Sequence, residues 1–440
     1  MGTRTLPPGQ TRGDEGALAA VLPAGSDGSE VLFTDRAPPE HLLAAPIVVV
    51  SIMSAPRLLD GGSRAADAVL RLAAHTVSGT RSARAGLRLR RLGFPNVQVI
   101  RWDHRQPFPR PGRPLPTLPP WHPHRYPRRA LVLATRHDTG PTVLDTALAA
   151  AGAPEPDMVR ASEAALIAIT DSTVLRVAVG AGRSQVLRPV GVGEHLLRER
   201  PDAVLADRMP WIQAHGTVGV GAWSAERRLH GTGARPPLPA SVLEDCRAVL
   251  VELFRLGSDG GVPLRSCTAD LHRIAAAVPP DAAAAAARLA AGADRVLADL
   301  PRGFGHGDFW FDNLLVDSGQ LTGVIDWDSA GPGRLPLLDL LHLLLSARQS
   351  VPGYRWGNAL LDVLRPWADR GADDLGRRYC HQLELSTEPA VLRALVIAYW
   401  LDWLHYQFDR YADRSSRTRW MANNVVRVAR TLDAAGWAQR

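Results

Sequence analysis

The sequence contains no lysine, so all 51 of its Lys and Arg residues are arginines. Any fixed cation that the protein needs must therefore be an arginine, whose planar fork suits bidentate contacts to phosphate. Cysteine is scarce as well. The three cysteines, Cys246, Cys267 and Cys380, are far apart in the chain. This spacing excludes a disulfide framework and a cysteine-rich zinc site, and it favours a reducing compartment.

Long apolar runs are also missing. The stretch AAPIVVVSIM at residues 44–53 is shorter than a bilayer span requires, and the first residues have no apolar core typical of a secretory signal. We therefore expect a cytoplasmic protein without a membrane span. Arginine is scattered along the chain, so a formal net charge of +7 does not by itself favour a nucleic-acid partner. The oligomeric state is left open.

The length and composition indicate more than one domain, because 440 residues exceed the usual size of a single domain. Residues 1–150 are predicted to form an N-terminal α/β domain of unknown role, with strands at 46–53, 97–102 and 130–134, helices at 65–75 and 82–92, and a proline-rich segment at 106–129. Residues 151–235 are interpreted as a β-rich lobe, and residues 236–440 as a mostly helical lobe that contains one hairpin. The β-rich lobe has predicted strands at residues 165–170, 174–179, 184–188, 211–215 and 221–227, with a helix at 194–206. The helical lobe has a long predicted helix at 389–411.

The stretch GHGDFWFDNLLVDSGQLTGVIDWD at residues 305–328 places polar side chains at the ends of two short strands. Asp317-Ser318-Gly319 supplies the turn residues of a hairpin. A hairpin brings the start of its first strand level with the end of its second, so Asn313 and Asp326 should meet. Asp308 lies on the loop that enters the same end. Carboxylate and amide oxygens are ligands that Mg²⁺ prefers, so the pattern predicts a magnesium site beside a carboxylate base.

These residues resemble the aminoglycoside phosphotransferase and choline kinase superfamily. The shared pattern is His306-Gly307-Asp308, then Asn313 five residues later, then Val324-Ile325-Asp326-Trp327-Asp328. The resemblance is strong over 303–345, fainter over 165–300 and absent over 1–150. It implies an α+β, two-lobed, protein-kinase-like fold with the N-terminal α/β domain as an addition. It also implies transfer of the γ-phosphoryl group of ATP, with Mg²⁺, to a hydroxyl of a small molecule such as an aminoglycoside, a sugar or an amino alcohol.

The same resemblance implies a role for each residue of the pattern. Asp308 would be the catalytic base, and Asn313 and Asp326 would ligate the Mg²⁺ bound to ATP. Phosphoryl transfer needs mainly alignment and charge neutralisation, which such a set can provide. We expect His306 to be architectural, and Asp339 to bond the catalytic loop or an arginine, because a buried carboxylate needs a partner. The role of Asp328 is left open between a second metal, the acceptor and a salt bridge.

The nucleotide-binding half carries fewer signals. A kinase-like lobe needs a cation on its third strand, and Arg188 in SQVLRPV is the candidate in the absence of lysine. Glu199 on the following helix would be its acidic partner, with Glu194 as the alternative. Either acid is equally well explained as a surface charge.

Two further segments of this half are candidates for nucleotide contacts. The first hairpin turn would cover the phosphates through its amides and the hydroxyl of Ser172 or Thr173. The segment from Trp223 to Gly231 resembles the hinge of this superfamily. The adenine of ATP would bond there to the main chain between Ala225 and Arg227. The glycine-rich stretches at 190–193 and 215–221 are interpreted as turns, because neither continues into Gly-Lys-Ser/Thr.

The acceptor is not identified by the sequence. Helix AYWLDWLHYQFDRY at 398–411 presents Trp403, His405, Tyr406 and Asp409, and Asp402 beside them could hold a sugar or a cationic amine. An aromatic stripe at helical spacing is, however, more often part of a core. The alternative function is a catalytically inactive kinase-like module that binds a nucleotide or a partner. The complete set of Asp308, Asn313 and Asp326 argues against it, and the missing lysine argues against a protein kinase.

Overall fold

The structure is a computed structural model, and it describes the chain in segments. These are residues 31–34, 47–53, 85, 89–90, 96–102, 129–135, 141–162, 165–179, 182–199, 201–219, 221–257, 267–269, 271–349, 356–411 and 417–438. They form two compact units, one up to Gly193 together with Trp211–Arg228, and one comprising Glu194–Pro210 and Leu229–Arg440. The predicted α+β class is confirmed, and the predicted domain limits near residues 150 and 235 stay a prediction.

The N-terminal strands form a four-stranded sheet. They are β1 (Val31–Thr34), β2 (Ile47–Met53), β3 (Asn96–Trp102) and β4 (Arg129–Thr135), in the order β1-β2-β4-β3. β1 pairs parallel with β2, and β4 lies antiparallel between β2 and β3. The strands predicted at 46–53, 97–102 and 130–134 are confirmed to within about a residue. The helix predicted at 65–75 and the proline-rich segment lie outside the described residues, and Ala85, Leu89 and Arg90 of the second predicted helix are helical.

A five-stranded antiparallel sheet follows. Its strands are β5 (Met158–Ala161), β6 (Leu166–Ile169), β7 (Thr173–Val179), β8 (Ile212–Val218) and β9 (Gly221–Arg227), in the order β5-β6-β7-β9-β8. Helix α1 (Val143–Ala150) begins with a capping box between Thr142 and Asp145 and packs its apolar side on one face of this sheet. Leu144 of α1, Leu175 of β7 and Trp223 of β9 belong to this core. Strand β5 is too short to have been recognised from its residues.

Helix α2 (Gly182–Glu199) replaces a predicted strand. The prediction of a strand at 184–188 and of a turn at 190–193 is wrong, because the buried residues recur at a helical spacing: Gly182, Val186, Pro189, Val190, Gly193 and Leu196. Pro189 and two glycines obscured that period in the sequence. The helix predicted from Glu194 to Ala206 is also divided, because Pro201 disfavours a helix before it. A separate short helix, α3, spans Ala203–Ala206.

The second unit is mostly helical. The α-helices described beyond residue 239 are α4 (Ala240–Arg255), α5 (Leu271–Ala275), α6 (Pro280–Leu297), α7 (Leu338–Gln349), α8 (Trp356–Ala359), α9 (Arg365–Asp369), α10 (Asp374–Gln382), α11 (Pro389–Tyr411), α12 (Arg417–Met421) and α13 (Arg427–Ala434). Helix α11 has the predicted limits, and α6 packs against α11 and α13. Within the described segments, none of the helices combines the length and the hydropathy of a bilayer span.

Two small sheets carry the motif residues. β10 (Thr232–Gly233), β12 (Leu314–Asp317) and β13 (Gln320–Val324) form one, and β11 (Gly303–Gly305) and β14 (Gly331–Arg334) form the other. The hairpin predicted over 314–326 is confirmed as β12 and β13. Asp308 therefore lies on the connection between β11 and β12, and Asp326 follows β13.

Candidate functional site

The hairpin end gathers the predicted site residues. Asn313 ends a 3₁₀ turn, Phe311–Asn313, and its Nδ2 donates to the main-chain oxygen of Asp308 at 2.9 Å and to Asp308 Oδ2 at 3.2 Å. The main-chain N–H of Ile325 donates to the carbonyl oxygen of Asn313 at 2.9 Å, which brings Asp326 to the same end. The structure thus brings together Asp308, Asn313 and Asp326, the three residues that the sequence predicted to meet.

The Asp308 carboxylate is accessible. Its side chain is 44% exposed, and Oδ1 lies 3.4 Å from Nε2 of His342. An exposed carboxylate whose two oxygens each face a donor on a rigid element is held in one orientation while its outer lone pairs remain open to a substrate hydroxyl. This geometry suits a base that orients an acceptor.

His306 is fully buried and fixes the path of the loop. Its Nε2 lies 3.1 Å from the carbonyl oxygen of Ile325, and its Nδ1 accepts from the main-chain N–H of Asp308 at 3.3 Å. The proton therefore sits on Nε2, which donates. Burial lowers the pKa of His306, which favours the neutral ring. The prediction that His306 is architectural is confirmed.

Asp339, near the start of α7, holds the same loop by its main chain. Its Oδ2 accepts from the N–H of His306 at 2.7 Å, and its Oδ1 accepts from the N–H of Gly307 at 2.8 Å. Gly307 has φ +80°, and a Cβ there would lie 2.5 Å from the carbonyl oxygen of Ser329, so only glycine fits. The predicted bond between Asp339 and the catalytic loop is confirmed.

Asp326 has a left-handed backbone, with φ 68° and ψ 60°. A non-glycine residue in this region costs about 1 kcal/mol or more, and such residues cluster at functional sites. The carboxylates of Asp339, Asp308 and Asp326 all act on the pKa of the His306 ring, opposing the effect of burial, because all three lie close to it. The turn after β13 thus directs a strained acidic residue into the region of the loop.

The residues present fit a magnesium ion. Because Nδ2 of Asn313 is bonded to Asp308, its Oδ1 is the atom directed to a cation, and Asp326 supplies a carboxylate. Over the part of the chain that the structure describes, no three or more His, Cys, Asp and Glu side chains form a group that could hold a metal alone. Mg²⁺ takes one or two protein oxygens and completes its shell with phosphate and water.

Arg334 lies behind the loop and connects it to α11. Its guanidinium donates to Asp402 Oδ2 at 3.0 Å, to the carbonyl oxygen of Ser329 at 2.8 Å and to the Tyr406 hydroxyl at 2.7 Å. The sequence suggested that Asp402 could hold a cationic acceptor. In the structure its carboxylate pairs with the guanidinium of Arg334. The ring of Trp403 is half-buried and stacks on the buried ring of Trp356, with 3.7 Å between their centroids.

The nucleotide predictions for Arg188 and Glu199 need correction. Both lie on α2, eleven residues apart by number (199 − 188) and therefore roughly 16 Å along the axis, so they cannot form the expected ion pair. Glu194 is on the same helix. Arg188 is exposed and not on a strand. The predicted strand that would have carried Arg188 is a helix. A nucleotide-binding role for these residues stays a prediction.

Ser172 and the hinge residues lie at one end of the five-stranded sheet. Because β5 precedes β6, the turn that contains Ser172 is the second hairpin turn and not the first. The carbonyl oxygen of Ser172 accepts a hydrogen bond from the main-chain N–H of Arg228 at 2.8 Å. Ala225 is buried in β9 between two paired strands, and the N–H of Arg227 donates to the carbonyl oxygen of Trp211 at 2.9 Å. The adenine contact between Ala225 and Arg227 stays a prediction. The N–H of Arg227 already donates to Trp211 and is not available for it.

Arg176 meets the requirement for a cation on the third strand, and sequence reasoning missed it. It lies on β7, and its Nε is 3.4 Å from Oε1 of Glu226 on β9, with side chains 15% and 7% exposed. The three letters VLR occur at both 174–176 and 186–188. The signal that separates them is the dense β-branched pattern of Thr173–Val179, which the second copy lacks.

We expect Arg176→Gln to raise the KM for ATP roughly tenfold or more, since it removes a buried guanidinium from the third strand. Arg188→Gln, the matched change on α2, should leave the KM within about twofold. Steady-state ATP turnover gives both values, and thermal unfolding with and without ADP checks that the fold survives. A larger effect of Arg188→Gln than of Arg176→Gln would restore the original assignment.

Comparison with known proteins identifies the class. Residues 212–393 match the model of the phosphotransferase enzyme family. The superfamily predicted from the sequence is therefore confirmed for this part of the chain. No curated protein matches the sequence.

Among solved structures, the chain is similar to aminoglycoside phosphotransferases. A thermostable mutant of APH(4)-Ia in ternary complex with ADP and hygromycin B is 19% identical, with a TM-score of 0.42 over 64% of this chain and 96% of that one. APH(3'')-Id from Streptomyces rimosus with ADP and streptomycin is 15% identical, with a TM-score of 0.37 over 54% and 90%. ADP-bound APH(2'')-Ib is 15% identical, with a TM-score of 0.39 over 61% and 88%.

Proposed function

We propose that the protein is an ATP- and Mg²⁺-dependent phosphotransferase that transfers the γ-phosphoryl group to a hydroxyl of a small molecule. The observation that carries the proposal is the arrangement of Asp308, whose exposed carboxylate is bonded to Asn313 at the same hairpin end as Asp326. The family match over residues 212–393 supports the reaction class. The acceptor class stays with hydroxyl compounds of the aminoglycoside, sugar or amino-alcohol type, and the cytoplasmic location stays a prediction.

The residues divide the work of phosphoryl transfer. Asp308 accepts a hydrogen bond from the acceptor hydroxyl and orients it. It takes the proton as the acceptor oxygen bonds to the γ-phosphorus and the bond from that phosphorus to the β–γ bridging oxygen breaks, which releases ADP. Asn313 and Asp326 would hold Mg²⁺, which supplies charge neutralisation for the phosphates. Asp339 and His306 keep the loop main chain in place, so Asp308 does not reorganise during transfer.

Turnover against a panel of alcohols tests the proposal. The purified chain is given ATP and Mg²⁺ with an aminoglycoside, a hexose, an amino alcohol or no acceptor, and both ADP and phosphorylated acceptor are measured. We expect ADP and a phosphomonoester in equal amounts with at least one acceptor. Tight ATP binding without turnover with any acceptor or with water would instead favour the inactive kinase-like binding module.

We expect Asp326→Asn to raise the Mg²⁺ concentration for half-maximal turnover by roughly 10- to 100-fold, because an amide oxygen carries no charge for the cation. Asparagine tolerates the left-handed backbone at this position, so the turn after β13 should persist. The matched control is Asp317→Asn, which removes a nearby carboxylate from the exposed hairpin turn. A Mg²⁺ titration of ATP turnover measures both. An unchanged titration for Asp326→Asn would remove this residue from the metal site.

A further inference from the structure

Helix α7 holds the catalytic loop at two points. Asp339 accepts from the main-chain N–H groups of His306 and Gly307. His342 lies three residues further along, which places it on the same side of the helix. Its Nε2 is 3.4 Å from Asp308 Oδ1. One helix thus contacts both the main chain of the loop and the carboxylate that the loop presents.

Tyr399 of α11 sets the orientation of the His342 ring. The Tyr399 hydroxyl lies 2.7 Å from Nδ1 of His342. Burial raises the pKa of Tyr399 far above its ordinary value, so the phenol keeps its proton and can donate it to Nδ1. The ring proton of a neutral His342 then lies on Nε2, the nitrogen that faces Asp308.

The carboxylate of Asp308 consequently meets one donor at each oxygen. His342 Nε2 faces Oδ1 at 3.4 Å, and Asn313 Nδ2 donates to Oδ2 at 3.2 Å. The two donors come from different elements, and the His342 side chain is only 14% exposed. The contact at 3.4 Å is longer than an ordinary hydrogen bond, and catalytic hydrogen bonds are often long before substrate binds and shorten in the reactive complex.

We propose that His342 is a positioning residue, which fixes the plane of the Asp308 carboxylate through Nε2 and is itself fixed by Tyr399 through Nδ1. The inference rests on the proposed function, since it concerns the same base. The sequence signal is a polar pair in an apolar helix: within the run Leu338 to Leu345, only Asp339 and His342 are polar.

Two substitutions separate the roles of the two ring nitrogens. His342→Gln places an amide donor close to the position of Nε2, and His342→Asn places a polar group close to that of Nδ1. We expect His342→Asn to lower kcat at least tenfold, with the KM for ATP within about twofold, because the proposed role of His342 is to hold the base that meets the acceptor. His342→Gln should keep kcat within about threefold, and Tyr399→Phe should lower it by roughly threefold.

The assay is steady-state ATP turnover with Mg²⁺ and the best alcohol of the panel, or water where no alcohol is better. His381→Asn, a change of an exposed histidine on α10, is the matched control. Thermal unfolding of each variant reports its fold, and if His342→Asn does not fold, Tyr399→Phe and His342→Gln still decide between the outcomes. Equal kcat for the Gln and Asn variants, or a parallel rise in KM, would overturn the positioning role.

The Asp308→Asn variant separates a failure of the proposed function from a failure of the positioning role. If Asp308→Asn retains turnover, the proposed function fails. If Asp308→Asn abolishes turnover while every His342 and Tyr399 variant matches the parent protein, the function stands and the positioning role alone fails.

Discussion

Replacing Asp308 by asparagine should lower kcat for phosphoryl transfer by roughly 10²- to 10⁴-fold, the usual contribution of a positioned general base. The amide cannot accept a proton, and its nitrogen would face the donors of Asn313 or His342. The KM for ATP should change by less than about twofold, because Asp308 is placed to contact the acceptor. Turnover assays over a range of ATP concentrations separate the two quantities.

The same variant should fold normally. The Asp308 side chain is 44% exposed, and exposed substitutions usually change the free energy of unfolding by less than about 0.5 kcal/mol. Asp317→Asn, on the exposed hairpin turn, is the control for a nearby lost carboxylate. A kcat for Asp308→Asn close to that of Asp317→Asn would contradict the assignment of the base.

Replacing Asp339 by leucine should lower the free energy of unfolding of the helical unit by about 3 kcal/mol. The change removes the acceptor of two main-chain N–H groups, those of His306 and Gly307. Hydrogen bonds to a charged group contribute about 1.5–3 kcal/mol each, and a buried N–H left without an acceptor costs about 1–3 kcal/mol. Urea unfolding followed by circular dichroism measures the difference.

Turnover should fall with stability in this variant, because the loop that carries Asp308 loses its main-chain contacts to α7. Asp339→Asn is the graded comparison: it keeps one acceptor oxygen and presents an N–H to the other amide, so we expect an intermediate loss. Asp374→Asn, an exposed first-turn change on α10, controls for the loss of a charge on a helix. A native-like urea midpoint for Asp339→Leu would show that the two bonds are dispensable.

The catalytic hairpin was predictable because its signals are local. Turn formers at Asp317-Ser318-Gly319 and two short apolar strands fix the register, and the register brings Asn313 to Asp326. The bond from Asp339 to the loop followed from a simple physical rule, that a carboxylate in an apolar helix needs a partner. The same rule applied to His342 would have predicted its contact as well.

The β-rich region was less predictable because its decisive contacts are not local. Residues 184–188 have the composition of a strand, but burial against the sheet selects a helix, in which Ser224 Oγ donates to the carbonyl oxygen of Val186 at 3.1 Å. That error displaced the third-strand cation from Arg176 to Arg188. It also hid β5, a four-residue strand that becomes evident only through its pairing with β6.

The polar side of α11 has a consequence for how this protein can change its acceptor. Tyr399, Asp402 and Tyr406 recur on one side of the helix, and they bond His342 and Arg334 next to the catalytic loop. On the proposed function, a mutation at any of these three positions would disturb the contacts that hold the loop and its base, Asp308, in place. We therefore expect adaptation to a new acceptor to use the other positions of α11 and other segments.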